Sequence, residues 1–235
     1  MTSGKAAVHA CRWGAHAAVS AMVGIVVSGP LALILLSLLA PQPPWSDAEV
    51  FAQHYRALQS MPYFGGFLLV GGFVAMMGSL AALAPAEHRA RAETALVLTA
   101  AFASLVFFNY VVQTTFVPNL ARHYTPDKAS IIAAFSMVNP ASLAWALEMW
   151  AYAFLGVANF LIAPVFTRDP IERAAARLFM ANGVGSLAAA LWSAVDPSWM
   201  MKTTGLVAYT SWNVLVFVMV LAAFLALRRR IAHIA

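Results

Sequence analysis

Charge is what this sequence has least of. Fourteen Lys and Arg and nine Asp and Glu are spread over 235 residues, 10% of the chain, while 62% is apolar; soluble domains carry about 25% charged residues. A water-soluble globule is excluded, and so is a disordered segment, which needs low hydrophobicity. Cysteine is nearly absent: Cys11 stands alone, so no internal disulfide, two-cysteine redox pair or cysteine-rich metal site can form. The basic excess of +5 is scattered rather than gathered into one patch, which leaves no footprint for nucleic acid. Histidine is missing from the apolar runs. His9, His54, His88, His123 and His233 lie in loops or tails and His16 at the edge of the first run, so no histidine pair can hold a b-type haem between helices. Lys5, Lys128 and Lys202 lie outside any apolar centre, which disposes of a retinal Schiff base. A histidine box, a Gly-x-Ser with an embedded histidine and paired aspartates at metal-ligand spacing are also missing. We expect no cofactor and no metal.

What is present is long stretches with little or no charge. Crossing about 30 Å of hydrocarbon takes about 20 helical residues, and six stretches qualify, near 16–40, 62–84, 94–117, 140–163, 171–195 and 203–227; Glu148 alone interrupts the fourth, and the fifth rests on Leu178 to Val195 with Arg173 and Arg177 in the interface below it. The expected fold is an all-α polytopic membrane protein, a single membrane domain over residues 1–235. Lys5 and Arg12 precede the first run as in a signal peptide, but that run exceeds the 7–15 residues of a signal core and reads as an uncleaved anchor. Lysine and arginine are retained on the cytoplasmic side during insertion. Lys5, Arg12, Arg89, Arg91, Arg168, Arg173, Arg177, Arg228, Arg229 and Arg230 fall at one set of span ends, against Arg56, Arg122, Lys128 and Lys202 at the other. Both termini are therefore expected in the cytoplasm.

Two loops look helical. After the Pro-rich PQPPW turn, Ser46-x-x-Glu49 has the form of a capping box, and Val50, Phe51, Tyr55 and Leu58 recur at helical spacing. In the second loop Thr125 caps, Pro126 takes the first position, and Ile131, Ile132, Phe135 and Val138 form a stripe. Amphipathic helices near 46–60 and 126–138 are expected on the external face. Asn139-Pro140, Asp169-Pro170 and Asp196-Pro197 read as helix-capping pairs, which makes Asp196 a cap rather than a catalyst. Trp45, Trp199 and Tyr63 suit an external aromatic belt and Trp13 an internal one. Ser60-Met61-Pro62 echoes Ser136-Met137 ahead of Pro140, a weak sign of parallel duplication.

Glu148 is the one acid placed deep in a span by this reading. Intramembrane carboxylates face bundle interiors or cavities and are functional by default; the competing reading is a protonated side chain bonded between helices as structural glue. Ser142, Trp145, Glu148, Tyr152 and Asn159 share one helix face, and span five repeats the pattern with Asn182, Ser186, Ser193 and Asp196. By depth, Glu148 lies about 12 Å inside Pro140, Asn109 about 13 Å inside Pro118 and Asn213 about 15 Å inside Thr203. Gly71-Gly72 and the kinking Ser28-Gly29-Pro30 fall at the same level. This coincidence predicts a small ligand cavity lined by Glu148, Asn109, Tyr110, Gln113, Trp145, Tyr152, Trp212 and Asn213, open to the outside or the outer leaflet. A carboxylate among aromatic rings suits a cationic or amphiphilic ligand.

The stretch Asn139-Pro140 through Phe166, with Ala146-Leu147-Glu148, Tyr152, Gly156 and Ala163-Pro164-Val165-Phe166, resembles a segment of bacterial six-span integral membrane proteins to which no activity is assigned. Tyr110-Val111-Val112-Gln113-Thr114 is similar as well. The likeness covers about a fifth of the chain; it implies a bacterial inner-membrane location and places Glu148 in the shared pattern. Three functions fit: a pocket that binds or transports a small amphiphilic or cationic molecule or lipid, with Glu148 as counter-ion or proton acceptor; an accessory subunit docking partner subunits through its external helices; and a lipid-modifying enzyme. The last needs a second titratable group near Glu148, and only Asp196, about 12 Å nearer the surface, is on offer.

Overall fold

The computed structural model describes residues 2–234, which form helices joined by short turns, with no strand among them. Six helical stretches are long and apolar enough to cross a membrane: Gly4–Leu39, Ala57–Ala82, Ala86–Arg122, Leu143–Val165, Pro170–Val195 and Thr203–Ile234, spans one to six. The protein is an all-α, multi-pass membrane protein. Each span packs against its neighbours in sequence and the sixth closes onto the first, so the bundle is a ring of antiparallel neighbours. The even number of spans returns the chain to its starting end, where Gly4 and Ile234 are adjacent. That end is termed proximal and the opposite one distal.

Small residues decide how closely the helices approach. Gly14, Ala17, Ala21 and Gly24 of span one recur at three- and four-residue steps and meet Gly65, Leu69, Gly72 and Ser79 of span two. A methyl group on Gly72 would lie 2.6 Å from both the Ala17 carbonyl oxygen and the Ala21 amide nitrogen. Backbone-to-backbone contact of this kind drives association where lipid removes the hydrophobic incentive between helices. Spans four and five cross likewise at Gly156 and Gly183, where an added Cβ on either would stand 2.9 or 2.8 Å from the other's carbonyl oxygen. Gly71, by contrast, faces open space.

Two spans bend near their distal ends. Pro30 has no amide hydrogen to give, and span one passes through a π turn at Val27–Leu31. Span three does the same at Val112–Phe116, just before Pro118, whose missing amide would have served the Thr114 carbonyl. The Thr114 and Thr115 hydroxyls donate back to the carbonyls of Tyr110 and Val111 at 2.7 and 2.6 Å. Beyond its bend, span one buries only Ala32 among residues 32–39.

The two loop helices are shorter than expected and face inward. The first is Ala48–His54, and its cap is Asp47, which accepts from the Val50 amide at 2.8 Å; Ser46 bonds the Asp47 carboxylate instead. Residues 57–60 form a separate 3-10 turn that leads into span two. The second is Ala129–Phe135, preceded by a 3-10 turn at Pro126–Lys128, and the Thr125 side chain makes no capping bond. Phe51 and Ile132 are buried with Val112, Val117 and Ala121 of span three in a small second core. These apolar stripes therefore roof the bundle end. Span four begins at Leu143, because Ser142 accepts from the Trp145 amide and caps it, while Asn139 closes a turn on the Ala141 amide ahead of the helix. Asp169 and Asp196 do cap, accepting from the amides of Glu172 and Ser198.

Candidate functional site

Glu148 lies inside the bundle with 7% of its surface exposed. Asn109 of span three, fully buried, donates from one amide nitrogen to the Glu148 carboxyl at 3.0 Å and to the Ala144 carbonyl at 2.7 Å. The Asn109 side chain thus ties spans three and four together across 39 residues of sequence. The Tyr110 hydroxyl neighbours both the Glu148 carboxyl and the Tyr152 hydroxyl. Rings from three spans surround the group: Tyr63 and Phe67 of span two lie 5.7 and 5.6 Å from Tyr110, Phe102 of span three 5.2 Å from Tyr152, and Trp212 of span six 5.1 Å from Tyr152. Gly66 leaves the space that the Tyr110 ring fills. Edge-on and tilted contacts of this kind suit the ring quadrupole.

Other residues of the expected lining stand apart. Asn213 donates to the Tyr209 carbonyl at 2.8 Å, and its oxygen rests against Gly29 in the bend of span one; Tyr209 donates across to the Ser28 carbonyl at 3.3 Å. This pair of contacts fastens span six to the π turn rather than to Glu148. The Trp145 indole nitrogen is buried with no acceptor among the described residues. Gln113 sits one turn distal to Asn109 and works as a strut: its amide nitrogen donates to the Phe135 carbonyl at 2.7 Å and its oxygen accepts from the Met137 amide at 3.2 Å. Ser60 donates to the Gln113 carbonyl at 3.1 Å. Both Ser-Met segments that echo each other in sequence therefore converge on Gln113.

The open space lies beside the aromatic shell, toward the distal end. A cavity of about 490 Å³ separates the bent end of span one, with Leu33, Leu36 and Ser37, from Gln113 and Val117 of span three; Phe51 and Tyr55 roof it, and Tyr63 forms part of its floor. That volume falls within the roughly 300–1,000 Å³ of small-molecule sites. Its lining is mainly apolar, and the buried Gln42 side-chain oxygen on its wall has no donor among the described residues. Of the expected lining residues, Gln113 borders this cavity. Tyr152 and Trp212 border a second gap, of about 10 Å³, on the bundle axis. Tyr63 is the link, since it borders the large cavity and contacts the ring beside Glu148.

A second buried acid emerges at the proximal end. Arg230, 4% exposed, donates from its Nε to Glu172, 1% exposed, at 2.6 Å, and from a terminal nitrogen to the Val165 carbonyl at 2.7 Å. The other Glu172 oxygen accepts from the amides of Thr167 and Arg168 at 2.9 Å each. Both carboxylate oxygens are engaged, so the arrangement is a clamp that joins the turn between spans four and five to the end of span six. Glu148 is thus accompanied in the interior by a charge pair that spacing alone does not show. No cluster of three or more metal-ligating side chains occurs among the described residues. Asp196 lies in the distal turn, where the Lys202 ammonium, donating at 2.6 Å, and the Ser198 hydroxyl hold its carboxyl below the usual 3.8.

Tyr63, Phe67 and Phe102 complete the shell although they are absent from the expected lining. Matching depths between neighbouring spans would have found them, because each stands within about two turns of the level of Glu148. No protein-family model matches the chain, and neither the curated proteins nor the solved structures contain a match to it.

Proposed function

We propose that this integral membrane protein binds, and in so doing carries or presents, a small amphiphilic molecule whose apolar part occupies the distal cavity. Its neutral or cationic end turns toward Tyr63, with Glu148 behind it as counter-ion or proton acceptor. The observation that carries this reading is Tyr63, which at once borders the cavity and makes a tilted contact with the Tyr110 ring adjoining the carboxyl. No arginine or lysine borders the cavity, which disfavours an anionic head. An aromatic floor over a carboxyl favours a cation.

Binding of tetraphenylphosphonium, a lipophilic cation, to the purified protein in nanodiscs tests the reading. Glu148→Gln is expected to weaken binding at least tenfold, about 1.4 kcal/mol, with the melting temperature retained. Leu36→Trp, which fills the cavity, is expected to abolish it. Wild-type affinity in both variants rejects the site.

One observation favours an accessory subunit instead: Glu148 is bonded by Asn109 and borders neither the distal cavity nor the axial gap, as structural glue would be. Stoichiometric partners retained through mild-detergent purification, together with no cation binding, select that reading. A lipid-modifying enzyme is disfavoured because Asp196 is engaged by Lys202 and Ser198.

A further inference from the structure

Toward span one, the wall of the distal cavity is thin. Leu33 and Ser37 stand one helical turn apart, and both border the cavity while remaining exposed on the outside. The outer face of this stretch is apolar: Leu31, Leu33, Ile34, Leu38 and Leu39 are 40–72% exposed, and no charged residue occurs between Arg12 and Asp47. Such a surface belongs in hydrocarbon rather than in water, so the wall separates the cavity from lipid. It is fastened at its two ends, where Tyr209 donates to the Ser28 carbonyl and Gln59 donates to the Ala40 carbonyl at 3.2 Å. Between these ties, residues 32–39 bury only Ala32.

The distal end is covered differently. There the rings of Trp45, Phe51 and Tyr55 follow one another at 6.0 Å, and Phe51 is packed down onto Val112 and Val117 of span three. Inside the cavity, the side chains of Ser37, Gln59, Ser60 and Gln113 already donate to the carbonyls of Ile34, Ala40, Gln113 and Phe135. What the lining offers is therefore mainly carbon, and no charged side chain borders it. A hydrocarbon tail lying there makes the dispersion contacts that such a lining can give. A tail that arrives from the bilayer also has no water to shed on entering.

We propose that the amphiphile of this site is a membrane lipid whose tail enters the cavity sideways from the bilayer, past Leu33 and Leu36, and not a solute taken up from water. The placing of its head near Tyr63 rests on the ligand-binding reading above, whereas the seating of the tail needs no contribution from Glu148. The ligand class is thereby narrowed to long-chain molecules that stay dissolved in the membrane, and the bent end of span one becomes the threshold they cross.

Photolabelling from the lipid tests it. The wild-type protein is placed in liposomes of phosphatidylcholine that carries a diazirine midway along one chain, irradiated, and mapped by peptide mass spectrometry. A two-chain lipid stays in its bilayer, so a mark inside the cavity has come through the wall. Val117 and Phe51, 2% and 5% exposed, border the cavity, whereas Ile132, fully buried in the same small core, does not. Adducts at Val117 and Phe51 are expected to exceed those at Ile132 severalfold, with the exposed Leu38 and Leu39 marked as well. Marks confined to Leu38 and Leu39, with Val117 no higher than Ile132, overturn the proposal. Leu36→Trp, confirmed as monodisperse, is expected to bring Val117 and Phe51 down to the Ile132 level while Leu39 keeps its marks; undiminished marks at Val117 in that variant overturn entry past Leu36. Glu148→Gln should leave every mark as it is. Loss of tetraphenylphosphonium binding alone therefore strikes the ligand-binding reading, and loss of the cavity marks alone strikes this one.

Discussion

Among single residues, Glu172 and Arg230 show how a charge can be taken from water without being left alone. Every oxygen of the carboxylate is engaged, by one guanidinium nitrogen and two amides. Breaking such a pair leaves an uncompensated buried charge, whereas replacing both partners removes the desolvation cost as well. Arg230→Met is therefore expected to cost about 3–5 kcal/mol, read as a fall in thermal midpoint in detergent, and adding Glu172→Gln should recover much of it. Asp196 behaves differently because it is only partly buried, in a distal turn. Its carboxyl is held below the usual 3.8 by Lys202 and Ser198, so its contribution is full above that value and is lost as pH falls through the lowered one. The protection factor of the Ser198 amide against hydrogen exchange should hold at neutral pH and fall only under acid conditions, and Asp196→Ala should lower it at pH 7. The clamp is not legible in the sequence alone, because Glu172 and Arg230 are 58 positions apart at helix ends, where charges are ordinarily solvated; of the aromatic shell, depth singles out Tyr110, Tyr152 and Trp212 but not Tyr63, Phe67 and Phe102. Glu148, in contrast, could be singled out at once, because the run around it holds no other charge.

Helices and turns were more legible than side-chain pairings. Apolar runs with little or no charge mark all six spans, and Asp169-Pro170 announces a helix start by chemistry that does not depend on neighbours. The caps fall at Asp47 and Ser142, one and three residues beyond the Ser46 and Asn139 that the pattern predicts, because several Ser, Asp and Asn stand close together there and packing chooses among them. The bend of span three went unseen, since Pro118 near a helix end looks like a boundary rather than a break. Contact between elements allows a sharp test on adjacent glycines. Gly72→Ala pushes a methyl against the Ala17 carbonyl and should destabilise the fold or separate spans one and two. Gly71→Ala meets nothing within 4 Å and should be neutral or stabilising by up to about 1 kcal/mol through helix propensity. Similar melting temperatures for the two variants would contradict the seam.

For the molecule as a whole, ten basic residues at the proximal end against four at the distal end argue that the proximal end faces the cytoplasm. Cysteines introduced at Arg56 and Lys128 should react with an impermeant maleimide from outside the cell, and one at Arg91 should not; the opposite pattern inverts the topology. The order of helices around the ring is the order of the chain, and the sixth span returns beside the first, so the covalent starting point is one choice among several. Gly4 and Ile234 are near enough for a short linker, and new ends cut in the proximal turn at residues 83–85 would emerge on that same face. The architecture is thus closed in space although open as a polymer, and a circular permutant beginning at span three should insert with the same sidedness and rebuild the same interior.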